Sequence, residues 1–470
     1  MITKEIKNAL TSVVGVPFIF TDEETLKDYG RDHTEDLVYP PSVLVKPSST
    51  EEVSNIMKVA SAFRIPVIPI GARTGLSGGI LAVHKGIGLS LERLNRIEHI
   101  DEKNLQVVTQ PGVITEVLQR EVAGKGLFYP VDPSSRGSCF IGGNVAENAG
   151  GARAVKYGVT KDYVLNLEVV LPDGEVIWTG ANTLKNATGY NLTQLIVGSE
   201  GTLGVVTRIV LKLIPAVRHN VLMLVPFFKM EQAAEAVSAI FRAGIVPSAL
   251  EFMERDAIDW TMKFSEVPDL NLKEEVQAHL LIEVDSNYPD ILMLEAEKIL
   301  TVVEKYAIDE VLFADTEDQK NALWKLRRNV AEAVKQHTVY KEEDTVVPRY
   351  ELPALLKGIK AIGEKYGFKS ICYGHAGDGN LHVNIVKLDM TDENWKTQVP
   401  KGVKEIFELT RSLNGTISGE HGIGWVQKEY MPIVFREREL ELMYRIKRLF
   451  DPHNIMNPGK IFPEYLKNEQ

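Results

Sequence analysis

Sulfur, basic charge and long apolar runs are all scarce in this sequence. Its 470 residues hold two cysteines, Cys139 and Cys372. Neither has a thiol neighbour, which excludes a Cys-x-x-Cys site and a disulfide framework and makes a reducing, cytoplasmic compartment the simpler expectation. Lys and Arg total 53 against 64 Asp and Glu, a net charge of −11. No basic field is therefore present to attract nucleic acid or an anionic membrane surface. The longest apolar stretch, residues 221–228, is about a third of a membrane span, so no transmembrane segment is expected. Near the start, Thr11, Ser12, Gly15 and Pro17 interrupt the apolar residues and Asp22, Glu23 and Glu24 follow, which predicts no signal peptide. A soluble protein is expected, at an inner membrane only peripherally and through a partner.

Two familiar nucleotide signatures are also missing. No Gly-Lys-Ser/Thr follows a glycine loop, so a P-loop is excluded. Gly86-Ile-Gly88 and Gly422-Ile-Gly424 begin a Gly-x-Gly-x-x-Gly pattern, but Leu91 and Gln427 fill the third glycine position, which argues against a nicotinamide-binding Rossmann unit. Ser77 lies in a literal Gly-x-Ser-x-Gly, yet residues 80–86 contain no helix start, and an esterase nucleophile needs a helix directly after the serine.

Histidine is rare too, at ten residues, and three of them fall in two glycine-flanked segments. One reads Gly-His-Ala-Gly-Asp-Gly-Asn-Leu-His and holds His375 and His382; the other reads Gly-Glu-His-Gly and holds Glu420 and His421. Apolar alternation on both sides of Asp378-Gly379 predicts two strands joined by a two-residue turn. That register sets His375 directly opposite His382, with Asn384 on the same face and Cys372 pointing away. Two imidazoles and the Glu420 carboxylate form a mixed N/O donor set suited to zinc, manganese or iron, with positions left for substrate.

At this length two or three domains are expected. The first 215 or so residues read as short glycine-punctuated strands with few helices. Beyond Pro215, strands alternate with long charged amphipathic helices, which predicts an α+β layer with helices on an antiparallel sheet. Glycine loops at residues 66–79, 132–151 and 198–204 let consecutive backbone N–H groups turn toward an anion without Cβ interference, as a pyrophosphate requires.

Six motifs in order resemble the flavin-dependent (R)-2-hydroxyacid dehydrogenases of the vanillyl-alcohol-oxidase type. They are Pro-Ile-Gly-Ala-Arg-Thr-Gly-Leu-Ser-Gly-Gly, Gly-Gly-Asn-Val-Ala-Glu-Asn-Ala-Gly-Gly, Gly-Ser-Glu-Gly-Thr-Leu-Gly, the two histidine segments and Asn-Pro-Gly-Lys. The resemblance implies a two-subdomain FAD-binding region of the PCMH type over residues 1–217, with its core at 36–215. A cap with the metal-binding hairpin follows at 218–415, and a C-terminal segment, 416–470, returns to the first domain.

The resemblance also implies noncovalent FAD, its pyrophosphate held by Ile70, Gly71, Ala72, Arg73, Thr74, Gly75, Leu76 and Ser77. Further contacts are implied for Pro133, Ser134, Gly142, Gly143, Asn144, Asn148, Gly151, Gly201, Val206 and Asn457. His375, His382 and Glu420 are implied as ligands of a divalent metal and His421 as the base that takes the hydroxyl proton. Arg327 is implied to hold the substrate carboxylate, with Lys341 and Asn384 beside it.

Glu342, Glu343 and Asp344 after Lys341, and Ala331 in place of a helix threonine, depart from the 2-hydroxyglutarate branch and favour glycolate or D-lactate. The implied reaction is oxidation of a small 2-hydroxy acid to the 2-oxo acid. Electrons would then pass to a quinone, a cytochrome, an electron-transfer flavoprotein or an iron–sulfur partner subunit, and a homodimer is allowed. D-2-hydroxyglutarate dehydrogenase is the nearest alternative. A metal-dependent hydrolase and a non-catalytic flavin-binding subunit are alternatives of another class.

Overall fold

The computed structural model describes residues 2–34, 37–265, 267 and 273–467. Its contacts divide the chain into two units. The first comprises Met1–Gly150, Val159–Ala216 and Glu420–Gln470, the second Gly151–Gly158 and Val217–Gly419.

The first unit holds a sheet of β1 (Ile19–Phe20), β2 (Val43–Val45), β3 (Val67–Ile70) and β4 (Ile87–Ser90) in the order β1-β2-β4-β3. Strands β2, β4 and β3 run parallel. The helix Thr50–Ala62 starts where the Ser49 side chain accepts the Glu52 N–H, with Glu51 and Glu52 in its first turn, as the helix dipole favours. Its Val53, Ile56, Met57 and Ala60, spaced at helical period, join Val43, Val45, Val67 and Ile87 in one core.

A second, antiparallel sheet follows. It is built from β5 (Ile97–Asp101), β6 (Gln106–Thr109), β8 (Val164–Val170), β9 (Val176–Trp178) and β10 (Val205–Lys212), in the order β5-β6-β10-β8-β9. A small pair, β7 (Leu127–Phe128) with β11 (Ile214–Pro215), closes the unit. The tail belongs here as well. Val67 N–H donates to Ile455 O at 2.7 Å and Asn457 N–H to Val67 O at 2.8 Å, so residues 455–457 run along β3.

The second unit is a seven-stranded sheet of β12 (His219–Phe227), β13 (Ala249–Glu254), β14 (Ala278–Ser286), β15 (Leu312–Ala314), β16 (Tyr340–Val346), β17 (Lys369–Gly374) and β18 (Asn380–Val386). Its order is β15-β12-β14-β13-β17-β18-β16 and its strand pairs are antiparallel, the helix-covered antiparallel sheet expected of the cap. The helix Glu317–His337 opens with a Thr316/Gln319 capping box and buries Leu323, Leu326, Arg327, Val330 and Val334. The helix Asp392–Ser412 contains Pro400 and went unread in the sequence, because an internal proline lowers helix propensity. Its Val399, Val403, Ile406 and Phe407 are buried, and this apolar stripe outweighs the propensity loss.

The borders differ from those expected at two places. Residues 416–419 stay with the second unit, tied by the Val346 and Thr416 backbones, which exchange hydrogen bonds at 3.1 and 2.9 Å. Gly151–Gly158 also joins it, since Arg153 pairs with Glu283 at 3.4 Å and Tyr157 Oη donates to Asp285 Oδ2 at 2.6 Å.

Candidate active site

In the first unit a cleft opens between β3, the helix Ile141–Glu147 and the turn before β10. Seven of the expected cofactor contacts line it: Ile70, Gly71, Gly142, Gly143, Gly201, Val206 and Asn457. A Cβ on Gly143 would meet nothing within 4 Å, and one on Gly71 only the Gly143 backbone at 3.9 Å. These two glycines therefore leave space that a side chain would fill, which fits a flat cofactor lying against bare backbone. Gly142 is glycine for another reason, since its Cβ would stand 2.5 Å from Pro111 Cβ. Asn457 Nδ2 donates to Gly79 O at 3.0 Å and to Glu200 O at 2.8 Å, so the tail ties two glycine loops together.

The other expected contacts sit elsewhere. Ala72 and Arg73 line a separate hollow with Asp28 and Asp32, and Arg73 Nη1 pairs with Asp28 Oδ2 at 2.6 Å. Thr74, Gly75, Leu76 and Ser77 continue past it. Gly75 O accepts His33 N–H, and Ser77 O accepts the N–H groups of Trp425 and Val426. Pro133 and Ser134 lie in a turn closed by Arg136 N–H on Pro133 O. Asn144 is buried and donates to Thr115 Oγ1 at 2.7 Å. Asn148 takes a left-handed φ of 55° and accepts Lys161 N–H through Oδ1 at 2.9 Å. Gly151 falls in the second unit, where the segment it opens is anchored by Arg153 and Tyr157.

Two cleft carboxyls escaped the sequence reading. Glu147 and Glu200 both line the cleft, inside the second and third glycine motifs. Glu200 accepts Ile423 N–H at 2.8 Å and Gly424 N–H at 2.7 Å, gripping the loop that follows His421. Burial, reinforced by the charges of Glu200 and Asp32, pushes the Glu147 carboxyl well above its ordinary value. Burial also raises Glu200, against those two N–H donors and the charge of Lys460. Glu420 and His421 are half-buried in this unit.

In the second unit the histidine hairpin departs from the expected register. His382 faces Tyr373 across the ladder, and β17 ends at Gly374. His375 O accepts both Asp378 N–H and Asn380 N–H, so the connection is a four-residue loop rather than a two-residue turn. Gly379 sets that loop, since its φ is 86° and a Cβ would stand 1.9 Å from Val347 O. The shift from the expected register is two residues, and side-chain direction has a period of two. His375 and His382 therefore still share a region, with ring centroids 5.4 Å apart and planes at 82°. Asn384 lies on the His382 face and donates to Tyr373 Oη at 2.9 Å. Cys372 pairs with Val383 on the opposite face, as expected.

Lys341 pairs with Ile385, whereas Glu342 pairs with Asn384 and Asp344 with His382. Lys341 Nζ lies 3.5 Å from Glu343 Oε1. Tyr373 Oη donates to Glu342 Oε1 at 3.3 Å.

The helix Glu317–His337 brings Arg327 onto this same face. Arg327 is 5% exposed, with its guanidinium 5.0 Å above the Tyr373 ring. Its Nη2 lies 2.7 Å from Glu251 Oε2, an ion pair without hydrogen-bond geometry, and its buried Nε has no hydrogen-bond acceptor among the described residues. Glu251, on β13, is fully buried, and His375 Nδ1 lies 2.8 and 2.9 Å from its two carboxylate oxygens. Burial alone would raise this carboxyl, but His375 and Arg327 beside it outweigh burial and hold it below its ordinary value. The sequence carried a signal for it, a lone acid inside the apolar strand Ala-Leu-Glu-Phe-Met.

These elements define an FAD-linked oxidoreductase. Residues 216–461 match the family of FAD linked oxidases, C-terminal domain, and residues 41–180 match the FAD binding domain. The chain belongs to this family. It is 39% identical to glycolate oxidase subunit GlcD of Bacillus subtilis over 98% of this chain and 97% of that one. It is 38% identical to D-lactate dehydrogenase of Anaerostipes hadrus, over 94% of each. It is 36% identical to D-2-hydroxyglutarate dehydrogenase of Stutzerimonas stutzeri, over 94% of this chain and 96% of that one. The fold is similar to that of p-cresol methylhydroxylase, with a TM-score of 0.80 at 16% identity over 98% and 97% of the two chains. It is also similar to alkyldihydroxyacetonephosphate synthase, with a TM-score of 0.77 at 16% identity over 97% and 84%. Both likenesses are of fold.

Proposed function

We propose that this protein oxidises a small (R)-2-hydroxy acid, glycolate or D-lactate, to the corresponding 2-oxo acid. The observation that carries the reading is Arg327, a buried guanidinium beside His375 and His382 whose Nε still lacks an acceptor. A carboxylate from the substrate satisfies that donor, and guanidinium–carboxylate pairing orients it. The relatives named for glycolate, D-lactate and D-2-hydroxyglutarate support the same class of substrate.

Bound FAD supplies the acceptor for the Cα hydrogen and its electron pair. His375, His382 and Glu420 would hold a divalent cation (zinc, manganese or iron), which would supply polarisation of the substrate hydroxyl. The donor set suits such an ion, and the His375 Nδ1 contact with Glu251 leaves its other ring nitrogen for coordination. Gly419 N–H is held by Asp344 Oδ2 at 2.7 Å, and Glu420 and His421 are the next two residues of the chain, which supports their part in the site. His421 takes the hydroxyl proton, the general-base task for which an imidazole is the commonest side chain. Asn384 offers a buried Oδ1 without a donor among the described residues, available to a substrate or water proton.

Glu342 favours a monocarboxylic acid. It lies on the His382 face, where a second substrate carboxylate would meet like charge. The D-2-hydroxyglutarate reading rests on the 36% identical relative and must overcome that repulsion. Without a nicotinamide motif, the electrons leave for a quinone, a cytochrome, an electron-transfer flavoprotein or an iron–sulfur partner. Among the described residues no helix is long and apolar enough to cross a membrane.

Anaerobic mixing of the purified flavoprotein with (R)- and (S)-lactate, glycolate, malate and 2-hydroxyglutarate tests the proposal. Rapid bleaching of the flavin by (R)-lactate or glycolate, lost after treatment with chelator, is the expected result. Bleaching by an (S)-acid alone, or by none of them, overturns it.

A further inference from the structure

We propose that Glu251 is a positioning residue that serves the metal-binding and carboxylate-binding halves of the site at once, an inference that rests on the function proposed above. One carboxylate meets both His375 Nδ1, at 2.8 and 2.9 Å, and Arg327 Nη2, at 2.7 Å. It comes from β13, a different strand from either histidine, and the Arg327 helix is a third element.

The chemistry of the contacts fixes two choices that the fold alone leaves open. An ionised carboxylate only accepts hydrogen bonds, so His375 must donate from Nδ1 and present Nε2 as a bare lone pair. That is the tautomer a metal ligand needs, and a carboxylate behind the ring both sets it and raises its basicity. The same carboxylate engages only the Nη2 edge of Arg327 and leaves Nε unmet. The guanidinium is thereby turned so that one edge rests on Glu251 and another stays available to a substrate carboxylate.

A purely structural ion pair does not account for this arrangement. The neighbours of Glu251 on the strand face include Ala249, Met253 and Leu281, and apolar groups of similar volume often replace a buried ion pair at no loss of stability. A structural role also sets no tautomer.

The test uses Glu251→Gln and Glu251→Asp in the FAD-loaded full chain. Zinc ion is the probe, titrated into metal-stripped protein against a chromophoric chelator. Glu251→Gln is expected to weaken zinc binding by about 10–100-fold, the usual effect of removing the group behind a histidine ligand. It is also expected to raise KM for (R)-lactate more than it lowers kcat, while flavin content stays at the wild-type level. Glu251→Asp, with the charge kept and the reach shortened, is expected to lie between.

Zinc affinity and KM within about twofold of wild type in a folded variant overturn the proposal. Should Glu251→Gln fail to fold, Glu251→Asp carries the same comparison. Nitrogen-15 NMR of histidine-labelled, metal-free wild type decides it independently, with His375→Ala used to assign the signal. A proton on Nδ1 of His375 supports the proposal, and a proton on Nε2 overturns it. Failure of wild-type flavin to bleach with any 2-hydroxy acid would sink the function proposed above, while the zinc and tautomer results still decide the role of Glu251.

Discussion

Both units bury glutamates, and the surroundings of Glu147 and Glu200 in the first push the carboxyl the opposite way from those of Glu251 in the second. In the first unit, Glu147 and Glu200 lie against backbone and glycine, and burial drives both upward. In the second, Glu251 is just as deeply buried, but His375 and Arg327 reverse the balance and keep it charged. What decides the charge of a buried acid is its partners, because desolvation acts on all such groups and only a neighbouring cation offsets it. The contrast follows the two tasks. A cleft built to receive a cofactor along bare glycine backbone has few side chains that could supply counter-charge. A site that handles a small anion needs fixed cations, and each fixed cation needs a carboxylate to remain buried.

The largest expected effect on stability comes from exchanging the two acids for their amides. Glu251→Gln leaves Arg327 buried without its counter-charge and is expected to lower the unfolding free energy by about 3–5 kcal/mol. Glu147→Gln replaces an acid that burial already pushes toward its neutral form and is expected to stay within about 0.5 kcal/mol. Urea denaturation of both variants in parallel measures the gap, and equal losses would erase the distinction drawn above.

A smaller effect comes from a buried group with no partner in the second unit. His279 is fully buried, neither ring nitrogen has a hydrogen-bond partner among the described residues, and burial lowers its pKa to about 3. The unfolded chain takes up this proton below about pH 6.5, whereas the folded chain refuses it until about pH 3. Stability from this group is therefore complete above pH 6.5 and falls as pH drops through the window down to 3. At pH 5 the loss is about 2 kcal/mol. His279→Leu should flatten that part of the profile, as read by thermal denaturation at pH 5 and pH 7.5. An unchanged slope would show that burial without a partner does not govern the group.

The smallest effect concerns the glycine cradle. Because nothing lies within 4 Å of a Cβ on Gly143, Gly143→Leu is expected to leave the apoprotein as stable as wild type while weakening FAD binding by about 1 kcal/mol or more. Flavin retained after gel filtration, alongside the apoprotein melting temperature, reads both. Full flavin retention would mean that backbone space at this position is not used.

Much of the architecture was legible in local pattern. The short strands of the first 215 residues and the antiparallel, helix-covered sheet beyond Pro215 both follow from hydrophobic period and turn chemistry. Pro400 hid one long helix, since a local breaker hid a stripe that only packing rewards. At the site, the parity of His375 and His382 was readable although their register was not. A two-residue error preserves the face, while turn length depends on the close approach of Gly379 to Val347 O, a contact with no local signature.

By itself, the sequence determined the types of element, the glycine-rich stretches that make a cradle possible and the pair of imidazoles on one hairpin, all properties of neighbours in the chain. Tertiary structure alone decided which acids matter. Glu251 reaches His375 across 124 residues of sequence, and Glu200 reaches the loop after His421 across more than 220. A carboxylate in an apolar strand looks like a fault until sheet order and helix packing bring it two cations, because its charge state depends on what surrounds it in space.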